Sequence, residues 1–206
     1  MKSIELLKIL QKINKPFYTI ADLEKITGFS RASLYVALKR WVNGGIIERV
    51  AQGIYLPMGS SIPIENVATQ LYIPNYLSFE SALAKYDILN LIPYTITFAT
   101  TRKTRNYTVR NQEIEFRQIA QELFFGFEMR DGIYIASPEK ALLDEVYFMV
   151  RGKATLDFDE IDLRKLSIKT LRTYSKRFPA YVRKYFERIG RSGDTGKSRG
   201  GANCGK

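Results

Sequence analysis

Residues 19–45 read TIADLEKITGFSRASLYVALKRWVNGG, and their punctuation decides the fold of the N-terminal part of the chain. Thr19 stands where a hydroxyl caps the free N–H groups of a helix, and Asp22 falls at the third helical position, where a carboxylate favours the positive end of the helix dipole. The helix so opened stops at Gly28. Phe29 and Ser30 make a short turn, and Ser30 caps a second helix, whose Leu34, Ala37, Leu38, Trp41 and Val42 fall at i, i+3, i+4, i+7 and i+8. That spacing places all five on one apolar stripe, so they are predicted core. Gly44 and Gly45 end the helix.

Upstream, Ile4, Leu6, Leu7, Leu10 and Ile13 keep helical spacing until Pro16, which cannot continue a helix and restricts the residue before it. Downstream, residues 46–50 and 54–57 read as two short strands joined at Ala51-Gln52-Gly53, a hairpin. Three helices with a tight glycine turn between the second and third, then a hairpin, are the order of a winged helix-turn-helix over residues 3–57. On a wheel of about 100° per residue the face of the third helix opposite its core stripe carries Ala32, Ser33, Val36, Lys39 and Arg40, flanked by Arg31 and Tyr35. Small side chains let a helix lie close to base edges, while Lys and Arg reach phosphates or guanine acceptors. With Arg49 on the hairpin, these eight residues form the predicted DNA-binding set. The plainer alternative is the solvated face of a helical protein-interaction module.

The chain has 206 residues, with 32 Lys and Arg against 21 Asp and Glu, a formal net charge of +11. Such a balance favours an anionic partner, nucleic acid or an anionic membrane surface. No apolar run approaches the roughly 20 residues needed to cross a bilayer, and the start carries Glu5 and Lys8 where a signal peptide would be apolar. The expectation is a cytoplasmic protein without a membrane partner. Histidine is absent and Cys204 is the only cysteine, which excludes a disulfide framework, a Cys/His zinc site, a histidine-based triad and a histidine general base. Neither a cofactor nor a metal is expected.

Excess charge is densest at the two ends: +5 over residues 1–58, +3 over the much longer 59–189 and +3 over 190–206. Gly59-Ser60-Ser61-Ile62-Pro63 breaks both periodicities and marks the boundary between residues 1–58 and a second domain, 59–189. From Gly190 the chain is glycine-rich, basic and almost without apolar side chains, so 190–206 is predicted to be a disordered basic tail; its Gly-Asp-Thr-Gly-Lys-Ser lacks the spacing and preceding strand of a phosphate loop. Within the second domain, residues 64–72 read as helix, Ser78 opens another, and Pro93 breaks the chain. Residues 94–98, 107–109 and 114–116 alternate as half-buried antiparallel strands, and Tyr94, Ile96 and Phe98 are expected in the core. After the aromatic run 123–127 and a strand over 132–136, Ser137 and Pro138 start a helix that is predicted nearly all buried. Two amphipathic helices follow, one burying Leu163, Leu166, Leu171 and Tyr174, the other Tyr181, Val182, Tyr185, Phe186 and Ile189. The fold class is α+β, an N-terminal winged helix-turn-helix followed by a mixed α+β domain.

Four blocks in this order, residues 76–83 (YLSFESAL), 94–97 leading into 100–105 (TTRKTR), 122–126 (ELFFG) and 136–144 (ASPEKALLD), resemble the AbiEi-like abortive-infection antitoxins of type IV toxin–antitoxin systems. The resemblance spans residues 3 to about 150. It implies a mixed antitoxin-type domain behind a DNA-binding domain that binds inverted repeats of double-stranded DNA in its own promoter. It also implies a functional partner, a nucleotidyltransferase-like toxin, that is countered without assuming direct contact. A stand-alone winged-helix transcriptional regulator is the alternative.

Arg102, Lys103 and Arg105 follow the strand at 94–98 with no acidic neighbour, so their charge is locally unopposed and a phosphate contact is expected; with the resemblance they form the candidate antitoxin surface. Their plain alternative is a solvated loop. Glu139 and Lys140 read as a helix start, since adjacent helical residues do not face each other. Asp157, Asp159, Glu160 and Asp162 raise a metal-dependent nuclease or nucleotidyltransferase, but they precede a helix where acids are ordinary caps, and no Gly-Ser with a following Asp-x-Asp is present. No catalytic residue is assigned. A further alternative is a basic protein that binds acidic protein partners, which salt-dependent, sequence-preferring DNA binding would distinguish.

Overall fold

The computed structural model describes residues 2–185; the predicted tail 190–206, with Phe186 and Ile189, lies outside the described residues. The chain is mixed α+β. Helix α1 (Ser3–Ile13) ends at Asn14 in the left-handed conformation, two residues ahead of Pro16. A two-residue strand, β1 (Tyr18–Thr19), leads into α2 (Ile20–Thr27). There the Thr19 hydroxyl accepts from the Asp22 N–H, and the Asp22 carboxylate accepts from the Thr19 N–H at 3.0 Å, a reciprocal cap. Gly28 closes α2 at φ 67°, a conformation in which a side chain is strained. Ser30 caps α3 (Arg31–Asn43), whose Leu34, Ala37, Leu38 and Trp41 are buried. Strands β2 (Ile47–Ala51) and β3 (Ile54–Pro57) form the expected hairpin, and β1 adds to it in the order β1-β3-β2. The added strand has no sequence signal, being two residues long.

The helices and this small sheet close over Leu6, Leu10, Tyr18, Leu23, Leu34, Leu38, Trp41 and Ile47, with Phe29 stacked on Trp41 at 6.3 Å. Full burial of side chains this size contributes about 1.5–3 kcal/mol each. A second core runs from Val50 to Val182, and Val50 and Leu56 of the hairpin belong to it. The hairpin therefore serves both cores, and a cut after residue 58 would strip two apolar side chains from the larger one.

That larger core is built on α4 (Ile64–Leu71), β4 (Asn75–Leu77), α5 (Phe79–Lys85), β5 (Ile96–Thr100), β6 (Arg105–Val109), β7 (Gln112–Gln118), β8 (Phe127–Arg130), β9 (Ile133–Ala136), α6 (Pro138–Val150) and α7 (Ile168–Ser175). The strands lie in the order β6-β7-β5-β4-β9-β8. Here the expectation of uniformly antiparallel strands is corrected: β5 and β7 are parallel. The turn after β5 carries β6 out to the sheet edge, and the tight turn at Arg110-Asn111, φ 50° and 62°, folds β7 back between them. Tyr94 is likewise not core but 78% exposed, because the regular strand starts at Ile96 and the Gln112 side-chain amide holds the Tyr94 carbonyl. Leu163 and Leu166 fall outside a longer helix: Asp162 caps a single turn over Leu163–Lys165, and Ser167 then caps α7 anew. Tyr181, expected inside, is 44% exposed on the helix that begins at 180, whereas Val182 is buried.

Residues 139–148 of α6 are all buried, including four with ionisable side chains. Lys140 Nζ donates to Asp144 and, at 2.8 Å, to the Tyr76 hydroxyl; Tyr76 and Ser78 donate to Asp144 at 2.9 and 2.8 Å. Ser78 thus leaves its expected cap to serve this network. Burial pushes the Lys140 ammonium down and the Asp144 carboxyl up, each opposed by the attraction of the other. Next to Asp144 in the chain, Glu145 faces Arg117, which also binds Glu80 and Glu115 at 2.9 Å each. Burial first, then the Glu80 carboxylate, pushes the Glu145 carboxyl up to about 9 against the pull of Arg117. Glu145 therefore keeps a proton in the folded chain that it releases from its ordinary 4.5 upward once unfolded. Its contribution to stability is full below pH 4.5 and is lost as pH rises toward 9, at up to about 1.4 kcal/mol per pH unit. Glu145→Gln is expected to flatten the fall in stability between about pH 5.5 and 8.5 measured by urea unfolding. An unchanged slope would contradict this protonation state.

Candidate nucleic-acid interface

The cap at Ser30, whose hydroxyl oxygen accepts from the Ser33 N–H, and the burial of Leu34, Leu38 and Trp41 fix the rotation of α3 about its axis. The opposite face follows from that. Arg31, Ala32, Ser33, Tyr35, Val36, Lys39 and Arg40 are all exposed, Val36 at 74% and Tyr35 at 52%. Between α3 and the β2–β3 hairpin lies an open groove of about 540 Å³, with Arg31, Tyr35 and Lys39 on the helix side and Arg49, Gln52 and Tyr55 on the hairpin side. Of the predicted set, four meet in this groove, while Ala32, Ser33, Val36 and Arg40 lie on the helix outside it. Gln52 and Tyr55 are outside the predicted set; the pairing of Arg49 opposite Tyr55 across the hairpin is the register signal that would have found Tyr55.

Electrostatically the groove is almost unopposed. Arg31 stands 3.8 Å from Glu24, and Lys39, Arg40 and Arg49 make no ion pair among the described residues. The nearby acids are occupied: Glu48 binds Arg110 at 2.8 Å, and Asp22 binds Lys15 at 2.6 Å. Burial works against ionisation of Asp22, but the Lys15 and Thr19 hydrogen bonds outweigh it and hold the carboxyl at about 2. A groove with apolar and aromatic walls and uncompensated guanidinium and ammonium groups suits a polyanion with planar bases.

The second predicted cluster is exposed as well. The Arg102 guanidinium lies 4.4 Å from the centre of the Tyr72 ring and donates to the Ile73 carbonyl at 3.3 Å; Arg105 lies 5.7 Å from Tyr72 and 5.0 Å from Tyr107. Two arginines thus share an aromatic platform, which sequence reasoning missed because Tyr72 reads as a helix end. Lys103 takes no part in it. Strand β6, which carries Arg105, packs beside β2, which carries Arg49, with the Arg110–Glu48 pair between hairpin and sheet. Exposed cation–π contacts stabilise by about 0.5–1 kcal/mol each. Replacing Arg102, Lys103 and Arg105 together by Ala is expected to cost about 1–2 kcal/mol in urea unfolding and leave the fold intact. A loss above about 4 kcal/mol would make the cluster a structural element rather than a surface.

Asp157, Asp162 and Glu139 have local partners. Asp157 accepts from the Asp159 N–H at 3.0 Å, Asp162 pairs with Arg164 at 2.8 Å, and Glu139 accepts from the Ser167 N–H at 2.8 Å. Among the described residues no three His, Cys, Asp or Glu side chains are grouped to hold a metal ion. Nor, among them, is any helix long and apolar enough to cross a membrane. No protein-family model matches the chain, and no curated protein matches it, so the functional reading rests on the groove and on the sequence itself.

Proposed function

We propose that residues 2–58 work as a winged helix-turn-helix, with α3 entering the major groove of double-stranded DNA and the β2–β3 hairpin following the adjacent backbone. The observation that carries this reading is the groove in which Arg31, Lys39 and Arg49 converge around Tyr35 and Tyr55, two of the three cations without an ion-pair partner among the described residues. Ala32 and Ser33 at the start of α3 leave room for close approach to base edges, and Arg40 on the outward side adds a phosphate contact.

With the resemblance in segment order, the fuller proposal is a cytoplasmic antitoxin that binds inverted repeats in its own promoter, represses it, and counters a nucleotidyltransferase-like toxin. Direct contact between the two proteins forms no part of the proposal. The Tyr72 platform with Arg102 and Arg105 supports a phosphate-bearing ligand for the larger domain. The test is a strain carrying a reporter behind the region upstream of this gene and, separately, an inducible nucleotidyltransferase-like toxin from the neighbouring reading frame. The chain is expected to silence the reporter and restore growth. Silencing without rescue would leave a stand-alone regulator, and neither effect would overturn the proposal.

A further inference from the structure

On the larger domain a second open groove, of about 430 Å³, lies between residues 89–97 and the segment 155–160. Its character is opposite to that of the rest of a chain whose net charge is +11. Glu80, Asp157 and Glu160 line it, and the one cation on its wall among the described residues, Arg117, is held by Glu80 and Glu115 at 2.9 Å each. Asp157 and Glu160 make no ion pair among the described residues.

The lip of this groove is largely apolar and exposed to solvent: Ile92 is 96% exposed, Tyr94 78% and Leu91 55%. Side chains this apolar are ordinarily turned inward when a loop is free to do so. This loop is not free. Asn90 N–H donates to the Glu160 carbonyl at 3.2 Å, the Gln112 amide holds the Tyr94 carbonyl, and the Ser81 hydroxyl donates to the Thr95 carbonyl at 3.3 Å. The backbone is pinned at both ends with its apolar side chains outward, an arrangement that lowers the ordering cost of binding.

We propose that this groove is a docking site for a basic segment of a partner protein, one that sets a Lys or Arg side chain among Glu80, Asp157 and Glu160 and lays an apolar neighbour against Ile92 and Tyr94. Charge complementarity selects the partner: a nucleic acid would be repelled here, and an acidic segment likewise. The site is separate from the α3 groove and does not depend on the DNA-binding reading.

The full chain is titrated with acetyl-Leu-Arg-amide and with its neutral counterpart acetyl-Leu-citrulline-amide, followed by amide shifts in NMR. The arginine probe is expected to move the signals of residues 89–97 and 155–160, and the citrulline probe to bind about tenfold more weakly, as loss of a charge-assisted hydrogen bond implies. Glu160→Gln should weaken the arginine probe alone, and Ile92→Ser should weaken both; Ile92 is exposed and Glu160 half-buried without an ion-pair partner among the described residues, and unchanged melting of each variant confirms that its fold is kept. Equal binding of the two probes, shifts confined to other residues, or no shift at about 20 mM probe would overturn the proposal.

Discussion

Lys140→Met is expected to destabilise the chain by about 3–5 kcal/mol, a large part of the stability of a typical domain. Methionine keeps an unbranched apolar stem one heavy atom shorter, so the loss is chiefly that of the ammonium with its charge and hydrogen bonds. Asp144, fully buried, is then left without its cation, and only the Tyr76 and Ser78 hydroxyls still donate to it. Asp144→Ala leaves the mirror-image problem, an ammonium surrounded by the rings of Tyr76, Phe125 and Phe178 at 5.1–5.3 Å. Lys140→Met combined with Asp144→Leu removes both charges at once, and the double variant is expected to be more stable than either single one. Urea unfolding of the four proteins reads this directly. A Lys140→Met variant within about 1 kcal/mol of the parent would show that the pair is neutral or hydrated rather than a buried ion pair.

The second large effect falls on binding. Replacing Lys39 and Arg40 by Ala should weaken binding to duplex DNA from upstream of the gene by about 10²-fold near 0.15 M salt, at about 1–2 kcal/mol per side chain removed. The slope of log affinity against log salt should fall in magnitude by about 0.9 for each phosphate no longer neutralised. Both side chains are exposed on α3 and neither is ion-paired among the described residues, so the fold is expected to melt unchanged. Ser33→Glu, at a small residue near the start of the same face, should be equally damaging by placing a carboxylate against phosphate. An unchanged affinity and an unchanged salt slope in the double variant would mean that α3 does not face the duplex.

What the sequence discloses follows from where its signals are local. Thr19, Gly28, Ser30, Gly44, Ser137 and Pro138 act through neighbours within one turn, and the structure has a helix boundary at each. The rotation of α3 is equally legible, because four buried residues at helical spacing leave the other face only one direction to point. Non-local pairing is not. Strand β4, three residues long and buried throughout, is too short to show alternation, yet it joins β5 to β9 at the middle of the sheet. The parallel pairing of β5 with β7 depends on which side of β5 the hairpin returns, and nothing in either strand's own residues encodes that. The aromatic platform under Arg102 and Arg105 has the same origin: Tyr72 lies thirty residues upstream of Arg102, and only the sheet brings the two together. Tyr94 shows the converse error, an alternating pattern that continues into a loop because Pro93 and the Gln112 amide fix the backbone before the strand begins.

Whether the α3 groove binds duplex DNA with a preference for sequence is decided by fluorescence anisotropy on the full chain. One labelled duplex carries the region upstream of the gene, and a second carries the same bases shuffled; both are titrated from about 50 to 200 mM salt. Binding to the upstream duplex is expected to be at least about 10³-fold tighter than to the shuffled one near physiological salt, with a steep negative salt slope for both. Equal affinity for the two duplexes, or affinity that does not change with salt, would contradict the assignment of α3 as a DNA-reading helix.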